Sequence, residues 1–199
     1  YEKVLNKLNI NEVDGVLMDL GVSSYQVDKS ERGFSYQFDA PLDMRFDVNN
    51  NKTATDVLNT FSEKQISNII KHNGEEKNHK KIAKSIVQHS KKGKMETSYD
   101  LKKAIIDSNI YAKNINKVFS RVFQAVRIEV NDEFANIDGV IKRICEKIKV
   151  GGRAVFITFH SLEDRLVKRL LLDLNNQFIN TEFGDKKIEL IRKKVIKPK

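Results

Sequence analysis

The sequence has 199 residues, of which 40% are hydrophobic, and its formal net charge is +9. This length suits one large globular domain, or one domain that carries an insertion. Apolar runs stay well short of the roughly eighteen residues that a membrane span requires, and the single cysteine, Cys145, excludes a disulfide framework or a cysteine zinc cluster, so these features predict a soluble protein of the cytoplasm.

The first predicted element is a short strand. Val13 to Asp19 form a compact apolar run that ends at a carboxylate and a glycine, as buried strands often do. From Gly21 to Asp47 no helical period is sustained, so a long irregular loop is predicted. A loop of this length in a compact protein is usually either functional or disordered.

A basic helical block follows the loop. Ser62 and Gln65 have capping-box spacing, and Gly74 is placed to stop the helix that they begin. Two more helices are predicted over about 75–90 and 98–107. Residues 60–117 hold thirteen lysines and six acidic residues, so this segment could bind a polyanion through its phosphates. A solvated, lysine-rich surface would account for the same excess of charge.

The last third of the chain returns to an α/β pattern. A long helical stretch is predicted over about 117–149, and a pair of glycines ends it. A second short apolar run over 153–159 predicts another buried strand. It is followed by a helix over 162–175 and by a weakly alternating strand, possible at a sheet edge, over 187–196.

The two apolar strands predict where a site should lie. Their continuous apolar sequences are typical of strands that are buried on both faces, and predicted helices connect them. This pattern predicts a parallel α/β sheet with a helical insertion. The first strand ends at Asp19, and His160 follows the second. Ligands of open α/β sheets bind at the carboxyl ends of the strands, so we expect the site at these residues.

Three stretches carry more polar and glycine residues than packing requires. They are DLGVSSYQ at 19–26, RGFSYQFDAPLDMRFD at 32–47 and FHSLEDR at 159–165. Each also has a purely structural interpretation. These are a strand-to-loop turn, a surface loop pinned by Asp–Arg pairs, and a helix start capped by Ser161 with acidic residues in its first turn.

Taken in order, these stretches resemble the signatures of the bacterial ribosomal RNA cytosine-N4 methyltransferases. The resemblance rests on DGVLMDLGVSS at 14–24, ERGFSYQFDAPLDMRFD at 31–47, RVFQAVRIEVNDE at 121–133 and GGRAVFITFHSLEDRLVKR at 151–169. It implies an α/β fold: an incomplete class I, Rossmann-like methyltransferase core with an inserted all-helical domain. The expected division is core over 1–50, helical substrate-recognition domain over 51–116 and core again over 117–199.

The resemblance implies which residues bind the methyl donor, and we add candidate catalytic, RNA-binding and stacking residues as hypotheses of our own. The methyl donor, S-adenosylmethionine, would be bound by Asp19 and Gln26. The candidate catalytic residues, which would flank a flipped cytosine, are Asp19, His160, Ser161, Glu163 and Asp164. The candidate RNA-binding residues are Lys80, Lys81, Lys84, Arg45, Arg121 and Arg127. A base could stack on Phe34, Tyr36 or Phe38. The partner would be small-subunit ribosomal RNA or the assembling small subunit.

The sequence departs from the family pattern at both ends. The family carries a glycine-rich donor loop before the first of these strands and an Asn-Pro-Arg-Ser-type motif after the last, and neither occurs in the 199 residues. We therefore expect the sequence to be part of a longer protein. The alternative is a non-catalytic RNA-binding module that keeps the helical domain. A reading frame that continues upstream into a glycine-rich turn would favour the enzyme.

Overall fold

The computed structural model describes residues 2–21 and 30–191. These residues form two compact units, one of residues 2–21 and 134–191 (the sheet unit) and one of residues 30–133 (the helical unit). The helices are α1 Glu2–Lys7, α2 Ala54–Thr60, α3 Glu63–Gly74, α4 His79–Lys92, α5 Ser98–Ile106, α6 Ile115–Asn131, α7 Glu133–Lys147 and α8 Ser161–Leu174. The strands are β1 Val13–Asp19, β2 Ile148–Ile157, β3 Phe178–Thr181 and β4 Gly184–Lys187. No helix in this part of the chain is long and apolar enough to cross a membrane.

Helix α3 begins as predicted and ends differently. The Ser62–Gln65 capping box is confirmed, with hydrogen bonds between side chain and backbone in both directions. The prediction that Gly74 stops the helix is wrong, because Gly74 is helical and Glu75 is the left-handed cap, with φ of 51°. A Cβ at Gly74 would lie 2.6 Å from the carbonyl oxygen of Arg121. The glycine therefore allows α6 to approach α3 closely.

The helices that follow confirm most of the predicted block. The third helix spans Ser98–Ile106, close to the predicted 98–107. The second begins at His79 instead of 75, because Glu75 and the residues after it form a turn. The predicted single stretch over 117–149 is two helices, separated at Asp132, which has a left-handed backbone with φ of 48°. The side chains at the centre of the unit, all at most 1% exposed, are Ile66, Ile70, Ile82, Ile86, Leu101, Ile105, Val122 and Val126.

The loop before α2 belongs to the core of the helical unit. Phe34, Leu42 and Met44 are buried among its helices. Asn131 holds the loop from the end of α6: its Oδ1 accepts from the amide of Phe46 at 2.7 Å, and its Nδ2 donates to the carbonyl of Met44 at 2.7 Å. The compact units divide between 21 and 30 and between 133 and 134; the domain division expected at 50/51 and 116/117 stays a prediction.

A charged pair pins the same loop. Arg45 donates from Nε and Nη2 to the two carboxylate oxygens of Asp43, at 2.6 and 3.0 Å. The hydrogen bond from Arg45 lowers the pKa of Asp43 below its ordinary value, and burial opposes this in part. A carboxylate with a lowered folded-state pKa stabilises the fold above its unfolded pKa, and this contribution disappears as the pH falls through the folded value.

We expect this ion pair to make the loop sensitive to acid. Asp43→Asn should be less stable than the parent chain at neutral pH, because an uncharged amide cannot accept both hydrogen bonds that the guanidinium of Arg45 donates to the carboxylate. The difference should shrink as the pH falls below the ordinary aspartate pKa. Denaturant unfolding of both chains between neutral and acidic pH measures it. A stability difference that is independent of pH would assign the effect to packing instead.

The sheet unit contains one parallel strand pair. β1 and β2 pair in parallel with Val16 opposite Ala154 and Asp19 opposite Ile157, which confirms the predicted pairing. β2 starts at Ile148, so the glycines that were predicted to precede it lie within it. One face of the pair, with Met18 and Phe156, packs against α7 and α8.

The opposite face of the strand pair is apolar and exposed. Leu17, Val155 and Ile157 are 69%, 54% and 41% exposed. The prediction that both strands are buried on two faces is therefore wrong for the described residues. An apolar run shows that both faces of a strand could be buried. Burial also requires a layer that covers each face, and within residues 2–21 and 134–191 only one face is covered.

The last strands form a short hairpin. β3 and β4 pair in antiparallel fashion, with Thr181 opposite Gly184. Lys186 is 4% exposed, and its ammonium donates to Glu12 and to the carbonyls of Glu146 and Ile148. The predicted strand over 187–196 is wrong up to 191, since only Lys187 belongs to a strand; the rest of that prediction lies outside the described residues.

Candidate functional site

The carboxyl ends of β1 and β2 lie side by side, because the strands are parallel and in register there. Asp19, the last residue of β1, is exposed and pairs with Ile157. The pairing continues for one residue, since the amide of Leu20 donates to the carbonyl of Ile157 at 3.0 Å. Gly21 then turns the chain with φ of +89°, a conformation that favours glycine.

Residues 159–163 turn β2 into helix α8. His160 is the N-cap, and its Nδ1 accepts from the amide of Glu163 at 3.3 Å. In return, Oε2 of Glu163 accepts from the amide of Phe159 at 3.0 Å. The prediction that Ser161 caps this helix is wrong, because Ser161 is its exposed first residue. The cap is a reciprocal pair of hydrogen bonds that a histidine and a glutamate make together.

Glu163 is buried between the ends of β1 and β2. Its side chain is 1% exposed, and its Oε1 lies 3.1 Å from Nε2 of His160. The Nδ1 atom of the same ring accepts from the backbone amide of Glu163, so this one residue contacts both ring nitrogens of His160. A Cβ at Gly21 would lie 3.2 Å from Oε1 of Glu163. The glutamate thus fills the space beneath the β1 turn.

The predicted catalytic residues therefore separate into two groups. Asp19 and Ser161 are exposed and Asp164 is half-buried, so these three can meet a ligand. Glu163 is fully buried, and both ring nitrogens of His160 face Glu163 atoms. Gln26 lies outside the described residues.

Sequence reasoning assigned no function to Phe159 or Gly21. Phe159 is 66% exposed, and a Cβ at Gly21 would lie 3.6 Å from its ring. The phenylalanine thus stands in the open beside the turn of β1, although apolar side chains of this size are usually buried. The signal that could have found it is an aromatic residue placed directly after a strand and before a polar turn.

Removal of the Glu163 side chain should loosen the turn. Glu163→Ala leaves the amide of Phe159 without its acceptor, so we expect a loss of about 1–3 kcal/mol in the free energy of unfolding. Asp164→Ala is the matched control on the same helical turn, and it should cost about 1 kcal/mol or less. Chemical denaturation of the two variants compares them directly. Equal losses would show that the buried cap contributes nothing beyond the helix dipole.

The three arginines predicted to bind RNA already have partners in the helical unit. Arg45 is used by Asp43 and also donates to the carbonyls of Val48 and Asn50. Arg127 donates to both carboxylate oxygens of Glu133, at 2.8 and 3.1 Å, and the two side chains are 13% and 7% exposed. Only Arg121 is about half exposed, with one bond to Glu76.

The three predicted lysines lie differently. Lys80, Lys81 and Lys84 are exposed on α4, opposite its buried side chains. Nearby, burial lowers the pKa of His79, and the electrostatic effect of its basic neighbours Lys71, Lys80 and His72 lowers that pKa further. The ends of α3 and α4 thus concentrate positive charge. His79 itself is half-buried, with Nδ1 2.7 Å from Oγ of Ser67.

Of the three aromatic residues proposed for base stacking, Phe38 is exposed. Phe34 is 8% exposed and stacks on Phe46 at a centroid distance of 5.8 Å, so its predicted role is wrong. Tyr36 is half-buried and packs against Phe119 and Phe123.

Comparison with known proteins gives a consistent result. The model of the MraW methylase family matches residues 1–199. Three curated relatives each carry the name ribosomal RNA small subunit methyltransferase H. The protein of Carboxydothermus hydrogenoformans is 48% identical over 83% of this chain and 54% of its own length. That of Fusobacterium nucleatum is 44% identical over 95% and 62%, and that of Elusimicrobium minutum 42% over 98% and 64%. The chain thus spans between about half and two thirds of the length of these relatives.

Proposed function

The chain belongs to the MraW methylase family, and from this premise we propose that it is part of an enzyme that transfers a methyl group from S-adenosylmethionine to the N4 amine of a cytosine in small-subunit ribosomal RNA. The relatives' names support the small-subunit RNA as substrate. The main support for placing the active site here is the carboxylate of Asp19. It is exposed beside Gly21, at the carboxyl ends of two parallel strands. Open α/β sheets bind their ligands at this edge.

The residues at the end of β1 fit a methyl donor. S-adenosylmethionine carries an ammonium group and ribose hydroxyls, both of which donate hydrogen bonds that the Asp19 carboxylate can accept. A side chain at position 21 would enter the space next to Phe159 and Glu163, so glycine keeps that turn open. When bound, the donor supplies an electrophilic methyl group.

The protein's own contribution is to orient the acceptor base and to take up its proton. The N4 lone pair of cytosine is delocalised into the ring, so an acceptor for an N4 proton would localise it as the bond forms. His160 is held by its contacts with Glu163, which makes it a positioning residue. Asp164, half-buried at the start of α8, is the proposed proton acceptor. The exposed ring of Phe159 offers a flat surface for the base, and most of the rate gain would come from positioning.

Nucleoside analysis tests this assignment. The full-length protein is incubated with small ribosomal subunits and labelled donor, and we expect the label in N4-methylcytidine. Label in another nucleoside, or in large-subunit RNA alone, would contradict it. RNA binding without any transfer would favour the non-catalytic module.

The exposed lysines of α4 should carry salt-sensitive RNA affinity. Each phosphate contact adds roughly 0.7–0.9 to the slope of log affinity against log salt. Changing Lys80, Lys81 and Lys84 to Glu should therefore weaken binding of small-subunit RNA and flatten this slope, with little effect on donor binding. Filter binding across a salt series measures both quantities.

A matched control reverses three exposed lysines of the sheet unit, Lys3, Lys7 and Lys168. It alters the net charge equally, so it separates a local contact from general attraction. If both triple variants lose the same affinity and the same slope, the α4 lysines hold no particular RNA site.

A further inference from the structure

Two aromatic side chains stand exposed on neighbouring backbone segments of the helical unit. Phe38, in the loop before α2, is 49% exposed, and Tyr99, in the first turn of α5, is 47% exposed. We call these two residues the aromatic platform. Single exposed apolar side chains are common on protein surfaces, whereas apolar groups that are exposed near one another can mark an interaction site.

Hydrogen bonds join the two backbone segments that carry the platform. Ser98 is 0% exposed and bridges the two segments: its amide donates to the carbonyl of Ala40 at 2.8 Å, and its Oγ donates to the carbonyl of Phe38 at 2.5 Å. The amide of Tyr99 donates to Oδ1 of Asp39 at 3.3 Å. The backbone under both rings is therefore fixed before any ligand arrives, which lowers the entropic cost of binding.

A lysine lies over the Tyr99 ring of the platform. The ammonium of Lys102 is 5.1 Å from the ring centre of Tyr99 and 5.6 Å from that of Phe119. Exposed aromatic rings combined with a nearby cation are the pattern by which proteins hold single-stranded nucleic acid: bases stack on the rings, and the cation meets the backbone. The α4 lysines offer charge for phosphates but no exposed aromatic ring, so the two surfaces have different chemistry.

We propose that single-stranded RNA stacks its bases on Phe38 and Tyr99, with Lys102 next to its phosphates. The proposal rests on an RNA substrate and deepens the proposed function, since it adds a subsite for nucleotides outside the methylation site. Stacking depends little on base identity. The platform would thus hold unpaired RNA without reading its sequence.

The absence of tryptophan from the sequence provides a direct test. Phe38→Trp and Tyr99→Trp each give the chain a single indole on the platform. Phe183→Trp is the matched control, because Phe183 is 46% exposed with the Lys186 ammonium 5.7 Å from its ring centre, but lies in the sheet unit. Titration with a short, unstructured oligocytidylate should quench both platform indoles to saturation and leave the control unchanged.

A second measurement uses loss of the rings. The double variant Phe38→Ala, Tyr99→Ala should bind the oligonucleotide more weakly by roughly thirty-fold or more, since each lost stack costs about five-fold or more, with unchanged helical circular dichroism. Platform indoles that the oligonucleotide does not quench, or a control quenched equally, would overturn the proposal. So would indoles that respond to whole small subunits and not to the oligonucleotide, which would indicate a protein contact. If the oligonucleotide quenches the platform indoles but the full-length protein methylates no RNA, the platform proposal is supported and the proposed function is contradicted.

Discussion

Asp19→Ala in the full-length protein should reduce methyl transfer by roughly 10²–10³-fold, the usual cost of removing one essential polar contact from an active site. The carboxylate stands exposed at the end of β1, where the proposed donor binds. Since an exposed side chain contributes little to folding, we expect the free energy of unfolding to change by no more than about 0.5 kcal/mol. Rate measurements with small subunits and calorimetric titration with the donor would show whether affinity or turnover is lost.

Asp14→Ala is the control for that experiment. Asp14 lies on the same strand, at its other end, and its side chain is 88% exposed next to Lys149. Its removal should leave transfer unchanged. Near-normal turnover in Asp19→Ala would take that residue out of the site, and an equal loss in both variants would mean that the strand itself had been disturbed.

Gly33→Ala should be the most destabilising small substitution in the helical unit, at about 2–5 kcal/mol. Gly33 has φ of +68°, and a Cβ there would lie 2.3 Å from the carbonyl oxygen of Pro41 and 3.2 Å from Cα of Leu42. Both neighbours are backbone atoms, so no side chain can rotate away. Denaturant unfolding followed by helical circular dichroism measures the loss.

Substitutions at two other glycines distinguish backbone strain from steric clash as the cause of that loss. Gly151 has φ of +83°, and a Cβ there would meet no atom within 4 Å, so alanine at this position experiences backbone strain alone. Gly93 is extended, with φ of −176°, and its Cβ would also meet open space. We expect Gly33→Ala to exceed Gly151→Ala, and Gly93→Ala to be nearly neutral. A Gly33→Ala chain as stable as the Gly151 variant would refute the clash.

The helical block was predictable because its signals are local. Capping residues and apolar stripes recur within a turn or two, and the Ser62–Gln65 box and the third helix follow from them directly. The exceptions also have a physical reason. Glu75 and Asp132 adopt left-handed backbones that sequence patterns assign to glycine or asparagine, so the end of α3 and the break after α6 were missed.

The burial of the loop before α2 could not be predicted from its local sequence. Its irregular sequence correctly indicated the absence of regular helices, but the burial of Met44 depends on Asn131, 87 residues further along the chain. The same long-range contact draws the loop into the helical unit. No periodicity within the loop itself could have revealed that partner.

The candidate site was predictable in position and less so in the function of each side chain. The parallel pairing of β1 and β2, inferred from apolar runs, brings Asp19 and the 159–165 stretch to one edge. Which acidic residue is buried depends on the turn geometry: Glu163 faces inwards to accept from Phe159, and Asp164, one residue later, does not. Residue type alone does not distinguish them.

The pairing of β1 with β2 also has a consequence for synthesis on the ribosome. Asp19 pairs with Ile157, so at roughly 5–20 residues per second β1 waits about 7–30 s for its partner to be made. The helical unit is contiguous between the two strands, and its contacts become available first. We therefore expect the nascent chain to close its helices while the apolar strand β1 still lacks β2, which leaves β1 open to chaperone binding.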